Sequence, residues 1–203
     1  MTIKVLTVAF TDGAHAEAIG RAAAKRLDFR YVNDEVLDLA AAAAGVGTRE
    51  VASVEQSESL IARIVRSLGN IPSPELGITA NAMLSDTAPE YRAMIQEVVR
   101  RLADEGNVVI GAHGAGVSLA GTPGLLRVFI TAPMETRIAR VASERNVDEK
   151  SARHEVEHTD RERKAYFDRF FRVREEPALY DLVVNTGVLS EERAVAAILG
   201  AAG

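Results

Sequence analysis

The sequence predicts an α/β fold, a three-layer α/β/α domain in which about five parallel strands are covered by helices on both faces. Short apolar runs alternate along the chain with longer stretches of helical periodicity, which is typical of strands joined by crossover helices. Several runs are apolar throughout, as expected of parallel strands that are buried on both faces. The 203 residues suffice for one domain with a full hydrophobic core.

The chain is predicted to begin with a strand, a tight turn and a helix. Residues 5–8 are apolar and should form the central strand, residues 10–13 form the turn, and apolar residues four apart then indicate a helix. This order is typical of phosphate-binding domains, in which loop N–H groups and the helix N-terminus hold the phosphates. No lysine or arginine lies between Gly13 and Arg21. We therefore expect this turn to lack the positively charged side chain that phosphate-binding loops usually have.

A second strand and a long helical insertion are predicted next. Residues 29–32 should form a short strand, and Asn33 should cap the helix that follows it. Helical periodicity then continues to about Asp104, interrupted at residues 69–77 by a loop with two prolines and two glycines. Residues 45–105 are expected to form a subdomain over the carboxyl ends of the strands, where ligands bind in open α/β sheets.

The second half of the chain predicts the rest of the sheet. A helix should begin at Pro133, and a closing helix should follow Ser190. Residues 147–175 are dense in charge and predict a solvated helical arm. Three further apolar runs are the remaining strands: residues 108–110, 125–131 and 182–184.

Composition narrows the classes of function. The formal net charge of −5 and an aromatic content of 5% argue against nucleic acid as a partner. The chain has no cysteine, which excludes disulfides, thiolate metal sites and cysteine nucleophiles. No apolar stretch reaches the length of a membrane span. A cytoplasmic protein without a membrane partner is therefore expected.

Four segments resemble the cytidylate kinase-like proteins, a branch of the nucleoside monophosphate kinases on the P-loop NTPase fold. They are FRYVNDEVLDLAA (29–41), LRVFITAPMETRIARV (126–141), TDRERKAYF (159–167) and YDLVVNTGVL (180–189). The resemblance implies a P-loop NTPase-like sheet, a nucleotide-accepting helical insertion and a helical lid that closes over the phosphates. It also implies ATP and Mg²⁺ as cofactors for phosphoryl transfer to a nucleoside monophosphate or a similar small acceptor.

The residues that the resemblance implies as catalytic lie on the arm and on the helix before it. Asp160, Arg161 and Arg163 fall in the family's lid pattern, and Arg137 lies on the helix after the fourth strand. Guanidinium groups suit bidentate phosphate contacts and the charge that develops during phosphoryl transfer. The alternative is that the charges of the arm only form i,i+4 pairs on a solvated helix.

The residues that the resemblance implies for nucleotide binding depart from the family pattern. His15 and Ala16 stand where the family has glycines, and Glu17 and His113 stand where it has arginines. The corresponding residues are Asp12, Gly13, Ala14, His15, Ala16 and Glu17 at the phosphate loop, Asn33 and Asp34 after the second strand, and His113 and Gly114 after the third.

Two interpretations of the phosphate loop stay open. Asp12 is predicted to cap the first helix, so that its carboxylate would occupy the anion site of that helix. Alternatively, Asp12 and Glu17 would hold Mg²⁺ through their hard oxygen atoms. His15 and His113 would bind an anion when protonated, or have no role. His154 and His158 are expected to be surface residues.

Three functions stay open on the sequence alone. The first is an ATP-dependent kinase of a nucleoside monophosphate. The second is a catalytically inactive relative that acts as a nucleotide-sensing or protein-interaction module, and the third is a transferase with another donor. The ligand is expected to be a nucleotide or another small phosphorylated molecule, and a homo-oligomer is neither indicated nor excluded.

Overall fold

The computed structural model describes residues 2–33, 36, 88–111 and 114–203. Its strands are β1 (Val5–Phe10), β2 (Arg30–Val32), β3 (Val108–Gly111), β4 (Leu125–Thr131) and β5 (Leu182–Asn185). Its helices are α1 (Ala16–Leu27), α2 (Ala88–Glu105), α3 (Ala115–Ser118), α4 (Met134–Arg145), α5 (Glu149–Tyr166) and α6 (Glu191–Ala202). A π-helical turn at Phe167–Phe171 continues α5, and a 3₁₀ turn lies at Pro177–Leu179.

The sheet has five parallel strands in the order β2-β3-β1-β4-β5. β1 lies at the centre, where Val8 is opposite Gly111 on one side and Val128 on the other. This confirms the predicted parallel sheet and its central strand. The carboxyl ends of all five strands meet at one edge, which is the ligand-binding edge of such sheets.

Both faces of the sheet are covered, which explains why β1 is apolar except for the buried Thr7. Leu6 and Val8 point to one face and pack in a core with Ile19 of α1 and with α6. Val5 belongs to the opposite face, where Val99 of α2 is fully buried. Burial of these side chains supplies the main driving force for assembling the three layers.

The prediction that the arm is a solvated helix is wrong for one of its faces. α5 packs against α4 through a small apolar cluster made of Ile138, Val141, Ala152 and Val156. The last two residues are four apart, so they lie on one side of the helix. High charge density on the other sides of α5 hides this narrow apolar stripe in the sequence.

The helix boundaries test several further predictions. Ser190 caps α6, because its hydroxyl accepts a hydrogen bond from the N–H of Arg193 at 3.4 Å. α2 ends at Glu105, close to the predicted end. The rest of the predicted insertion of residues 45–105, with its loop at 69–77, lies outside the described residues and stays a prediction.

β4 and β5 are joined by an ion pair whose strength should depend on pH. The backbone N–H and the guanidinium of Arg127 donate to the carboxylate of Asp181 at 2.6–3.1 Å. The side-chain hydrogen bond from Arg127 lowers the pKa of Asp181 below its ordinary 3.8. Because the folded pKa is the lower one, this stabilisation is complete above the unfolded pKa and is lost as the pH falls through the folded pKa.

We therefore expect Arg127→Gln to reduce the loss of stability on acidification. Thermal unfolding between about pH 5 and pH 3 should show a shallower decrease of the midpoint in the variant than in the unmodified protein. The effect should be small, since both side chains are partly exposed and the pair is screened by solvent. If the unfolding midpoints of the two proteins decreased equally with pH, the pair would not contribute the expected pH-dependent stability.

Candidate functional site

The turn between β1 and α1, which is the predicted phosphate loop, contains two residues with a left-handed backbone. Gly13 and His15 have positive φ angles of 75° and 58°, and α1 begins directly after His15 at Ala16. A Cβ on Gly13 would lie 2.7 Å from the backbone oxygen of Arg137, so that only glycine fits there. Turns with left-handed residues direct successive N–H groups into one concave surface, which suits an anion.

Asp12 does not cap α1, and that prediction is wrong. The residue at the N-cap position is His15, which makes no side-chain capping hydrogen bond. Asp12 instead accepts hydrogen bonds at Oδ1 from the N–H of Gly13 at 3.1 Å and from Arg145 at 2.9 Å. The physical reason is that a three-residue turn with two positive φ angles separates Asp12 from Ala16. The helix N-terminus is therefore not occupied by this carboxylate.

Side chains from α4 and from the turn after β5 hold the carbonyl groups of the phosphate loop. Arg140 donates to the carbonyl oxygen of Gly13 at 3.1 Å and to Thr186 Oγ1 at 2.9 Å. Thr186 in turn donates from its hydroxyl to the carbonyl oxygen of Ala14 at 3.0 Å. These contacts connect the loop to α4 and to the turn after β5.

Two of the four residues predicted to be catalytic are in contact. Arg137 donates to both carboxylate oxygens of Asp160, at 2.9 and 2.7 Å, and to the carbonyl oxygen of Ala132 at 3.2 Å. Arg137 is only 5% exposed. Its guanidinium also lies 3.4 Å from the carbonyl oxygen of Asp12. The pair therefore connects the phosphate loop, α4 and α5, and its charge is already balanced.

The other two residues predicted to be catalytic lie in different surroundings. Arg161 is 60% exposed, and its guanidinium is 3.9 Å from the carboxylate of Glu157, one helical turn earlier. This matches the alternative of an i,i+4 pair on a solvated surface. Arg163 is largely buried and donates from Nε to Glu175 at 2.7 Å.

His15 and Glu17 both face groups of the protein itself. The Nδ1 and Nε2 atoms of His15 each lie 2.8 Å from a carboxylate oxygen, of Glu191 and of Glu144 respectively. Glu17 accepts from Arg21 at 2.9 Å on the exposed side of α1. An anion that approaches the loop would therefore meet two carboxylates next to His15.

The second and third strands contribute the remaining predicted binding residues. Asn33 follows β2 and lies close to Gly111, the last residue of β3. Gly114 precedes α3 with a positive φ of 64°. Asp34 and His113 lie outside the described residues, so their predicted roles stay predictions. Within the described residues, Asn33 and Gly114 are thus at the carboxyl edge of the sheet, as expected.

Sequence reasoning missed some residues that shape this site. Arg140, Thr186, Glu175 and Phe171 are not among the residues that the sequence predicts for the site. For Thr186 the position directly after a strand was the available signal, since that places a residue at the carboxyl edge. Glu175 and Phe171 are brought to the site by tertiary contacts that leave no local pattern.

Gly114 offers a test of the packing over the third-strand turn. A Cβ on Gly114 would overlap with the ring of Phe171, and the positive φ adds backbone strain. We expect Gly114→Ala to lower the free energy of unfolding by about 1–3 kcal/mol. The matched control is Gly200→Ala in α6, where the new Cβ meets nothing within 4 Å. That change should stabilise the protein by about 0.5–1 kcal/mol. If urea unfolding showed the same change in stability for Gly114→Ala and Gly200→Ala, the contact between Gly114 and Phe171 would be contradicted.

The described residues contain no group of three or more His, Cys, Asp or Glu side chains placed to hold a metal ion. None of the helices in this part of the chain is long and apolar enough to cross a membrane.

The sheet order defines a three-layer α/β fold that is also the fold of kinases such as shikimate kinase. Solved structures agree with this assignment. A protein of Eubacterium ventriosum described as uncharacterized has 14% identity and a TM-score of 0.68, with 98% of each chain covered. Shikimate kinase from Bacteroides thetaiotaomicron has 11% identity and a TM-score of 0.51, covering 99% of this chain and 98% of that one. At these identities the likeness shows the fold alone.

The chain belongs to the cytidylate kinase-like family, whose sequence model matches residues 5–188. A cytidylate kinase of Staphylothermus marinus is 30% identical over 101 residues, which are 48% of this chain and 56% of that protein. A cytidylate kinase of Methanopyrus kandleri is 29% identical over 118 residues, 54% of this chain and 61% of that protein. The chain thus matches less than two thirds of the length of these relatives.

Proposed function

We propose that this protein is a phosphotransferase that moves a phosphoryl group from ATP to a nucleoside monophosphate or a similar small acceptor. The observation that carries the proposal is the family match over residues 5–188, which includes both the phosphate loop and the arm. Two relatives are named cytidylate kinases. CMP is therefore the first acceptor to test.

The backbone of the loop has a shape that can hold a phosphate group of the donor. Gly13 and His15 give the turn its concave form, and the N-terminus of α1 carries a partial positive charge. Asp12 fits Mg²⁺, because its second carboxylate oxygen is buried without a hydrogen-bond partner among the described residues. When bound, Mg²⁺ would neutralise charge on the phosphates.

Arg137 and Arg140 are positioning residues, whereas Arg161 is available to a substrate. Arg137 and Arg140 hold the loop and the arm in place through the contacts described above. Arg161 has only a long pairing with Glu157 and is 60% exposed. It is therefore the predicted catalytic residue best able to contact a phosphate, where a guanidinium stabilises the charge of the transition state.

The second candidate is a catalytically inactive relative that senses a nucleotide or binds a protein. The specific observation that favours it is the electrostatics of the loop. The described loop has no lysine or arginine of its own, and His15 faces Glu144 and Glu191 rather than an open anion site. Such a member would keep the fold and bind a nucleotide without turning it over.

Formation of ADP from millimolar ATP and Mg²⁺ separates the two candidates. The reaction is followed with CMP, UMP or AMP as acceptor and with no acceptor. Acceptor-dependent ADP formation, reduced at least about tenfold in Arg161→Gln, supports the phosphotransferase. Nucleotide binding by calorimetry without any ADP formation supports the inactive relative. If the protein neither binds a nucleotide nor forms ADP, the phosphotransferase and the nucleotide-sensing form of the second candidate are both rejected.

A further inference from the structure

A buried ion pair connects the arm to the segment that follows it. Arg163 on α5 donates from Nε to Oε2 of Glu175 at 2.7 Å, and its Nη2 contacts Oε1 of the same carboxylate. Both side chains are 14% exposed. The hydroxyl of Tyr180 also contacts this carboxylate. Glu175 therefore fills one of the two in-plane hydrogen-bonding edges of the guanidinium, the edge formed by Nε and Nη2.

Aromatic rings line the faces of the same guanidinium. The Cζ atom of Arg163 lies 5.4 Å from the ring centre of Phe129 and 5.2 Å from that of Phe167. Phe129 is stacked on Tyr180 with ring centres 5.0 Å apart. A guanidinium held in this way is preorganised to bind a planar or tetrahedral anion through two parallel hydrogen bonds.

Glu175 is delivered to this place by a segment that is otherwise exposed. Between the π-helical turn and β5, most side chains face solvent, and the only regular element is the turn at Pro177–Leu179. Glu175 and Tyr180 are its polar anchors to the arm. Phe129 lies two residues before the end of β4, close to the ligand-binding edge of the sheet. The exposed residues are Arg172, Arg174, Glu176, Pro177, Ala178 and Asp181.

We propose that Arg163 is the cation of an anion site and that Glu175 occupies this site within the chain. A phosphate group replaces the carboxylate when residues 172–179 move away from the arm, while Asp181 stays bound to Arg127 of β4. The carboxylate and the phosphate compete for the same two guanidinium N–H groups. The site is thus autoinhibited by its own chain. This proposal rests on the proposed function only in taking a nucleotide as the source of the phosphate.

The variant Glu175→Gln tests the competition directly. It keeps the size of the side chain and removes its charge, so that Arg163 loses its counter-charge. We expect inorganic pyrophosphate to bind this variant at least about tenfold more tightly than the unmodified protein, because a charged partner is replaced. Binding is measured by calorimetry on the full chain, with the ionic strength matched by NaCl.

The matched control is Glu157→Gln, which frees the exposed Arg161 on the same helix. It should raise pyrophosphate affinity by no more than about twofold, as expected of a solvated cation. In the double variant Arg163→Gln/Glu175→Gln the gain should disappear. Thermal unfolding supplies a second readout, since pyrophosphate should raise the midpoint of Glu175→Gln more than that of either control.

Two results would overturn the inference. One is a Glu175→Gln protein that binds pyrophosphate no more tightly than Glu157→Gln, which would leave the ion pair a structural contact. The other is a gain that persists in the double variant. If Glu175→Gln does not fold, Glu175→Asp keeps the charge on a shorter side chain and should bind pyrophosphate more tightly than the unmodified protein. None of these binding experiments uses a nucleotide, so failure of the phosphotransferase proposal is detected separately.

Discussion

Arg137→Gln should lower the free energy of unfolding by about 3 kcal/mol, the largest loss expected for a single substitution in this site. The guanidinium is almost fully buried and donates to both oxygens of Asp160 and to the carbonyl oxygen of Ala132. Removing it leaves a carboxylate and a carbonyl group without their donors. The exposure of Asp160, 29% of its side chain, keeps the loss near the lower end of the range for buried pairs.

Urea unfolding measures the free energies of unfolding of Arg137→Gln and of the control variant Arg161→Gln, which are then compared. Arg161 belongs to the same arm, but its pair with Glu157 is exposed. We expect that control to change the free energy of unfolding by less than about 0.5 kcal/mol. Similar losses in the two variants would show that Arg137 is not the connection between loop and arm.

Restoring the family's residues in the phosphate loop should raise the affinity for ATP at least about tenfold, or about 1.4 kcal/mol. The change is His15→Gly, Ala16→Gly and Glu17→Arg together. It removes the ring that faces Glu144 and Glu191 and adds a positive charge in the first turn of α1. The larger part of the gain should come from the glycines, since Glu17 is exposed and screened.

The control for the charge change is Glu97→Arg on α2. Glu97 forms the same i,i+4 pair with an arginine and has the same exposure, 58%, as Glu17. It should leave the affinity for ATP unchanged, as measured by calorimetry in the presence of Mg²⁺. A restored loop that binds ATP no better would indicate that the cleft serves another ligand.

The fold could be predicted because its signals are local. The apolar run of β1 reflects burial on both faces, and Ser190 caps a helix through an N–H three residues away. Neither signal depends on knowing which distant residues meet.

The site could be predicted only in part, because its contacts join distant parts of the chain. The Thr186 hydroxyl donates to a carbonyl group 172 residues earlier, and no periodicity marks such a pair. Asp12 was assigned to the helix N-terminus on residue type alone, whereas the two positive φ angles of the turn move the helix start to Ala16. Charge density on α5 indicated solvent exposure and concealed its apolar stripe.

The central proposal is that the turn between β1 and α1 is a phosphate loop without a lysine or arginine of its own. Calorimetric titration of the unmodified protein with ATP and with CMP, each with and without Mg²⁺, tests this claim most directly. We predict that CMP binds and that ATP dissociates in the millimolar range or more weakly, which corresponds to about 4 kcal/mol. Micromolar binding of ATP would contradict the claim, because another group would then replace the missing cation.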